Sequence, residues 1–200
     1  FGAQASPAAF IGAIFRDATL DGADLRNANY CQSDFEGASV RDIQFDPSRS
    51  WIAAGRGADG LYRQATLEGL IRAGGQFENA ALSLSCALLA DVDLGRADLR
   101  GLAGMAGARL IRVNLNDANL TGVDLRNASF VEPSLVGATL SQADLTGAQL
   151  PGIDLRGANL ANSIFANGIF SDGNFEGADM SSLNGAGAVF DRASMARASL

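Results

Sequence analysis

The chain has no histidine and no lysine, and all fifteen of its basic residues are arginine. Without histidine it lacks the commonest general base, the usual partner of a nucleophilic Ser or Cys, and the commonest metal ligand. Only two cysteines, four prolines and one tryptophan occur in 200 residues. Cys31 and Cys86 do not form a metal motif, and two thiols cannot staple so long a chain in the way small secreted domains are stapled. The cysteine usage therefore suits a reducing compartment, with the cytoplasm as the expected location. No uninterrupted apolar run approaches the roughly 20 residues that cross a bilayer. A start at Phe1 and an end at Leu200 suggest that a longer protein was trimmed or processed, which would hide any targeting segment. These absences point to a chain without enzymatic equipment, metal or cofactor.

What is present is a beat of five. From 105 to 200 every fifth residue, twenty in all, is Leu, Phe or Met, with the single exception of Gly185. Two residues before each stands a small or apolar residue, Ala in twelve of the twenty, as in Ala118-Asn119-Leu120, Ala143-Asp144-Leu145 and Ala178-Asp179-Met180. Residues two apart on an extended segment point to the same side, so Ala138 and Leu140 face inwards and the residue between them faces out. Two after many centres comes Gly, Asn or Asp, for example Gly107, Asp117, Gly122 and Asn127, which accept positive φ and make tight corners. An α-helix is excluded, because a period of five holds no fixed stripe at 3.6 residues per turn. Units this short bury their large side chain only against neighbouring units, which predicts a solenoid.

The pattern A-(D/N)-L-x-x resembles that of the pentapeptide-repeat family. The resemblance covers nearly the whole chain except residues 46 to 76. It implies an all-β solenoid, a right-handed quadrilateral β-helix in which four pentapeptides make one square coil. It says little about function, since one solenoid serves many unrelated tasks.

The first tract places centres at Phe10, Phe15, Leu20, Leu25, Tyr30, Phe35, Val40 and Phe45, about two coils. The period fails at Asp46-Pro47-Ser48-Arg49-Ser50 and returns near Phe77 and Leu82. Phase shifts before Leu89 and again before Met105 predict bulged corners near 83 to 88 and 100 to 104. Within the insertion at about 46–76, Asp59 reads as the N-cap of a helix running through Arg63 to Ala73, with Leu67, Leu70 and Ile71 as its apolar stripe and Gly74-Gly75 at its exit. The helical insertion is expected to fold back over one side of the solenoid, its apolar stripe packed. An alternative gives it a partner-binding role through Trp51, Arg56, Tyr62 and Arg63.

Net charge is −7, and the chain outside the insertion carries −8, which argues against direct binding of nucleic acid. Some members of the family are acidic rods that mimic duplex DNA in the saddle of DNA gyrase, so the resemblance offers a type II topoisomerase as an alternative partner, with Asp124, Asp144 and Asp154 as the acidic face. Twenty-residue stacking places Arg112 beneath Glu132, Arg156 beneath Glu176 and Asp172 beneath Arg192, which predicts mutual neutralisation between coils. Ile111, Val131 and Pro151 fall on one outward ladder and Ile169 and Val189 on its neighbour, an apolar face suited to a partner or a second copy. Open coil ends give a further route to self-association. The leading expectation is a rigid protein-interaction or structural module that is not an enzyme.

Overall fold

A computed structural model describes residues 8–46, 49–77 and 80–200. Pro47 and Ser48, in the break expected from sequence, lie outside the described residues. The chain winds a right-handed quadrilateral β-helix whose coils join through parallel bridges spaced by twenty residues, such as Asp124↔Asp144, Thr139↔Asn159 and Ile169↔Val189. The centres Leu115, Leu125, Leu135, Leu145, Phe165 and Phe175 are fully buried, as are Ala118, Ala138, Ala143 and Ala148 two residues before other centres. Burying each large side chain contributes about 1.5 to 3 kcal/mol, which holds together coils whose strands are at most three residues long.

Each corner is a turn in which the N–H two before the next centre reaches back, as Ala118 N–H does to the Leu115 carbonyl at 3.1 Å. The third residue of the turn takes positive φ even where it is neither glycine nor Asx: Arg112 has φ 50° and Glu132 φ 51°. Corner geometry is thus imposed by the stack and not by the corner residue alone. Where the outward residue just before the centre is Asp or Asn, its side chain ties the next corner down. Asn114 Oδ1 accepts the Asn116 N–H at 3.0 Å and Asn159 Oδ1 the Ala161 N–H at 3.0 Å.

The regular ladder fails in the middle of the chain. Residues 49–75 hold two short helices, α1 (Trp51–Ala54) and α2 (Gln64–Arg72), followed by an antiparallel pair, β1 (Gln76–Phe77) with β2 (Ala80–Ala81). Helix α2 begins later than the sequence suggested. Arg63 is its extended N-cap residue, while Asp59 lies outside the helix, accepts the Leu61 N–H at 3.1 Å and pairs with Arg63. Leu67 and Ile71, one turn apart, are buried, and Leu70 is half-buried. The pentapeptide rhythm resumes at Leu84, not at Phe77 or Leu82. Leu82 occupies the small-residue position before Leu84, so Leu84, Leu89, Leu94 and Leu99 run in one phase and no bulge is needed at 83 to 88. The slip at 100 to 104 is present: Asp98 pairs with Asn119 and Ser83 with Gly104, twenty-one residues on.

The insertion is interposed between coils. The antiparallel bridge Ser39↔Leu61, with Tyr62 N–H to Ala38 O at 2.8 Å and Val40 N–H to Gly60 O at 2.9 Å, sets it against the second coil. On its other side Leu82 N–H donates to Gly75 O at 2.7 Å and Arg72 reaches Asp93. At one corner the coils on either side of this layer are joined directly. There Gln32 N–H donates to Cys86 O at 2.7 Å, and a disulfide joins Cys31 to Cys86 with the Cα atoms 4.6 Å apart. This corrects the sequence reading of two unconnected thiols: the insertion separates them by 55 residues along the chain, while the stack returns both to one corner.

Candidate functional site

Outward positions differ sharply among the four faces, and the second one carries the apolar surface. Its inward centres are Leu89, Leu110, Phe130, Leu150, Phe170 and Phe190. Here, alone among the described residues, the parallel ladder widens into a three-stranded sheet of β3 (Leu88–Ala90), β4 (Arg109–Ile111) and β5 (Ser129–Val131), in register Ala90↔Ile111↔Val131. Those three residues stand on the outer side beyond their centres, followed by Pro151. The neighbouring ladder bridges Ile169 directly to Val189. Val131, Ile169 and Val189 are 40%, 40% and 38% exposed, and Ile164, at the matching position of the adjoining face, is 36% exposed, whereas Asn, Asp, Ser and Thr are the commonest residues at that position on the remaining two faces. β-Branched residues suit a flat extended face, and the two ladders together give an apolar patch that steps from one to the other along successive coils.

The insertion candidates divide. Trp51 and Tyr62, expected as partner contacts, are 1% and 2% exposed and belong to an aromatic cluster: Trp51 lies 5.6 Å from Phe35 and 5.9 Å from Tyr62, centroid to centroid. Their large flat rings fill the layer between coils, which removes them from the surface. Burial pushes the Tyr62 phenol well above its ordinary pKa, and among the described residues neither its hydroxyl nor Trp51 Nε1 has a hydrogen-bond partner. Arg63 is held by Asp59, whose carboxyl falls far below its usual range because Arg63 hydrogen-bonds it. Arg56 is exposed and lines a shallow concavity of about 500 Å³ with Arg41, Asp42 and Gly60. Among the described residues Arg56 and Arg109 are the two arginines without an ion pair.

The three acids of the expected acidic face are all engaged. Asp124 accepts Arg126 Nε at 2.9 Å and Nη2 at 2.7 Å, Asp154 takes Arg156 at 2.9 and 2.8 Å, and Asp144 accepts Thr146 Oγ1 at 2.6 Å with Arg126 3.9 Å away. Arg126 and Arg156 hold the Asp124 and Asp154 carboxyls below the ordinary carboxylate range. Of the stacked pairs read from sequence, Arg192 does meet Asp172 at 2.6 Å. Arg112 instead grips Asp91 at 2.6 Å, and Arg156 turns to its own repeat rather than to Glu176, which lies 3.7 Å from Arg197. A guanidinium two residues beyond an Asp folds back onto it across a single corner, a shorter span than the step to the next coil. The Asp-x-Arg spacing that marks these pairs is plain in the sequence, at a step of two residues rather than twenty. Among the described residues the acids without an arginine partner, which include Asp17, Asp42, Glu132, Asp179 and Asp191, scatter over three faces. No group of residues able to hold a metal ion occurs among the described residues, and no described helix is long and apolar enough to cross a membrane.

A family model described as pentapeptide repeats matches in eight copies over residues 8–46, 108–147 and 143–181. Among solved structures, the chain is similar to the pentapeptide repeat protein Rfr23 from the cyanobacterium Cyanothece 51142. The identity is 26% over 58% of this chain and 90% of that one, with a TM-score of 0.47. It is also similar to HetL of Nostoc sp. Strain PCC 7120, a pentapeptide repeat protein involved in heterocyst differentiation regulation, at 22% identity over 96% and 87% of the two chains, TM-score 0.43. QnrB1, a plasmid-mediated fluoroquinolone resistance protein, aligns at 15% identity over 94% and 90%, TM-score 0.36. No curated protein sequence matches it.

Proposed function

The chain belongs to the pentapeptide-repeat family, and from that premise we propose that it is a rigid, non-enzymatic protein-interaction module that docks a protein partner laterally on its second face. The observation that carries this reading is the pair of adjoining outward ladders on that face, Ile111–Val131–Pro151 and Ile169–Val189, which place five apolar residues side by side over successive coils. A flat, stiff apolar surface offers a partner binding area at small entropic cost, because none of its backbone has to be ordered on contact. The core is filled with Leu, Phe and Ala, and the outward Asp and Asn residues are spent on corners, which supports a role in binding rather than catalysis. The Cys31–Cys86 bond removes the ground on which a reducing compartment was expected, since such bonds persist mainly in oxidising ones.

A second reading, an acidic DNA mimic acting on a type II topoisomerase, has the net charge of −7 in its favour. Against it stands the pairing of Asp124 and Asp154 with arginines, which leaves little negative field for a saddle built to attract phosphates. Capture of partners from a lysate by the wild type, by Ile169→Asp/Val189→Asp and by Asp124→Asn/Asp144→Asn/Asp154→Asn, run alongside a gyrase supercoiling assay, separates the two. Loss of capture only in the apolar-face variant is the expected result. Loss only on acid neutralisation, with an effect of the wild type on supercoiling, overturns the proposal in favour of the mimic.

A further inference from the structure

We infer that the Cys31–Cys86 disulfide is a thiol–disulfide exchange site that latches the inserted layer, so that its reduction opens the rod locally at that layer. Both cysteines are half-buried at one outer corner, within reach of a small thiol. Their corner is where the second coil still bonds to the coils that follow the insertion, through Gln32 N–H to Cys86 O at 2.7 Å in the first of them and Gln32 Nε2 to Gly107 O at 3.3 Å in the next. Elsewhere the second coil bonds to the insertion instead, by Gly37 N–H to Tyr62 O at 3.0 Å, Val40 N–H to Gly60 O at 2.9 Å and Glu36 to Gln64 N–H at 2.9 Å. The disulfide is therefore the covalent clamp on one side of a layer held on the other sides by non-covalent contacts alone: a short antiparallel bridge, the Arg72–Asp93 pair, and aromatic and aliphatic packing.

That layer is also the weak one. Trp51 Nε1 and Tyr62 Oη are buried without partners among the described residues, a desolvation cost that opening relieves. In the coils beyond Met105, by contrast, every side of the square is tied to the next by backbone bonds at twenty-residue spacing. Loss of the clamp thus acts on the insertion and leaves the long tract standing, the pattern of a local opening unit.

The chemistry balances with an external thiol as the reductant. Its thiolate attacks one sulfur, the Cys31–Cys86 bond breaks and a mixed disulfide forms while the other cysteine leaves as thiolate. A second external thiolate displaces the remaining protein sulfur. Two electrons pass to the protein, both cysteines take up protons as thiols, and the reductant departs as its own disulfide. Oxidised glutathione reverses the sequence.

Trp51, the single tryptophan, lies inside the layer and reports on it directly. Dithiothreitol added to the native protein should release two thiols, shift Trp51 emission to the red and raise arginine-specific cleavage at Arg49, Arg56 and Arg63 by about tenfold or more, a change equal to 1.4 kcal/mol of local stability. The far-ultraviolet β signal should persist, and oxidised glutathione should restore the starting state. Cys31→Ser/Cys86→Ser should behave as the reduced protein at every redox poise. Reduction that leaves both emission and cleavage unchanged overturns the latch, as does a bond that releases no thiol until the protein is denatured. Collapse of the whole β signal on reduction also overturns it, since the bond would then hold the entire rod.

Discussion

Arg126 folds back across one corner onto Asp124, donating its backbone N–H at 3.1 Å, Nε at 2.9 Å and Nη2 at 2.7 Å to a single carboxylate. Asp24 with Arg26, Asp98 with Arg100 and Asp154 with Arg156 repeat the arrangement. Each pair closes a turn and cancels its own charge.

These pairs set the acid response. Hydrogen bonds from Arg26 and Arg100 lower the Asp24 and Asp98 carboxyls from 3.8 to about 2. A carboxyl depressed in the folded state contributes stability that is complete above its unfolded value near 4 and is lost as pH falls through the folded value. Stability should therefore hold from neutral pH to about pH 4 and decline between about pH 4 and 2. Carbon-13 titration of the Asp98 side chain measures this directly. Arg100→Gln should move its midpoint up towards 3.8, and an unmoved midpoint would show that the guanidinium is not the cause.

Leu145 and Ala143 are both fully buried, one as a stacked centre and the other as the small residue beside it. Leu145→Ala should cost about 2 to 5 kcal/mol through lost burial and a cavity. Ala143→Leu should cost about 1 to 3 kcal/mol by overpacking. Denaturant titration checks both, and wild-type midpoints would refute the inward assignment of these two positions.

The regular tract was legible because one rule, large residue inward every fifth and small residue two before it, fixes both face and corner at Leu110 as at Met180. The insertion was not, because its partners are remote: Trp51 is drawn inside by Phe35 and Tyr62, and Cys86 meets Cys31 only after the chain has gone round through two helices. Local capping rules also misplaced the start of α2, since Asp59 is claimed by Arg63 and by the Leu61 N–H before the helix begins. The apolar stripe of Val131, Ile169 and Val189 was readable from twenty-residue spacing, whereas the Asp-x-Arg corners required a two-residue spacing.

Gly168 occupies a position that alanine holds in most repeats, and the reason is the ring of Phe170. A Cβ at 168 would stand 2.5 Å from Phe170 Cε2 and 3.1 Å from the Phe165 carbonyl oxygen. Phe165 and Phe170 stack at 4.3 Å, which leaves that ring little room to retreat. Gly168→Ala should therefore destabilise by about 1 to 3 kcal/mol although it restores the commoner repeat residue. Gly168→Ala combined with Phe170→Leu should recover part of that loss in thermal unfolding, and equal losses in the single and double variants would exclude the ring as the cause.

Glu132 holds φ 51° at a corner with no ion-pair partner among the described residues. A left-handed conformation costs a side-chain-bearing residue roughly 1 to 2 kcal/mol, offset in glycine by its larger unfolded-state freedom. Glu132→Gly should raise stability by up to about 1 kcal/mol, whereas Glu132→Val should lower it because a β-branched residue resists that φ. Thermal midpoints of the two variants should lie on opposite sides of wild type.

Ile169 bridges Val189 on the second face, and both side chains remain more than a third exposed. If this stripe is a contact surface, hydrophobic burial between two rods should make the free protein associate at high concentration, because a second copy presents the same flat apolar strip. Sedimentation velocity across a concentration series should show that association, and Ile169→Asp/Val189→Asp should weaken it. Stacked like charges cost the fold only about 0.2 to 1 kcal/mol, so circular dichroism should stay close to wild type and the loss can be assigned to the surface. Ile14→Asp, in the first coil on the far side of the insertion and 76% exposed, serves as the control that should leave association intact. An oligomer indifferent to the paired substitution would move the contact to the open coil ends, and a wild type that stays monomeric throughout would leave the stripe to a different protein.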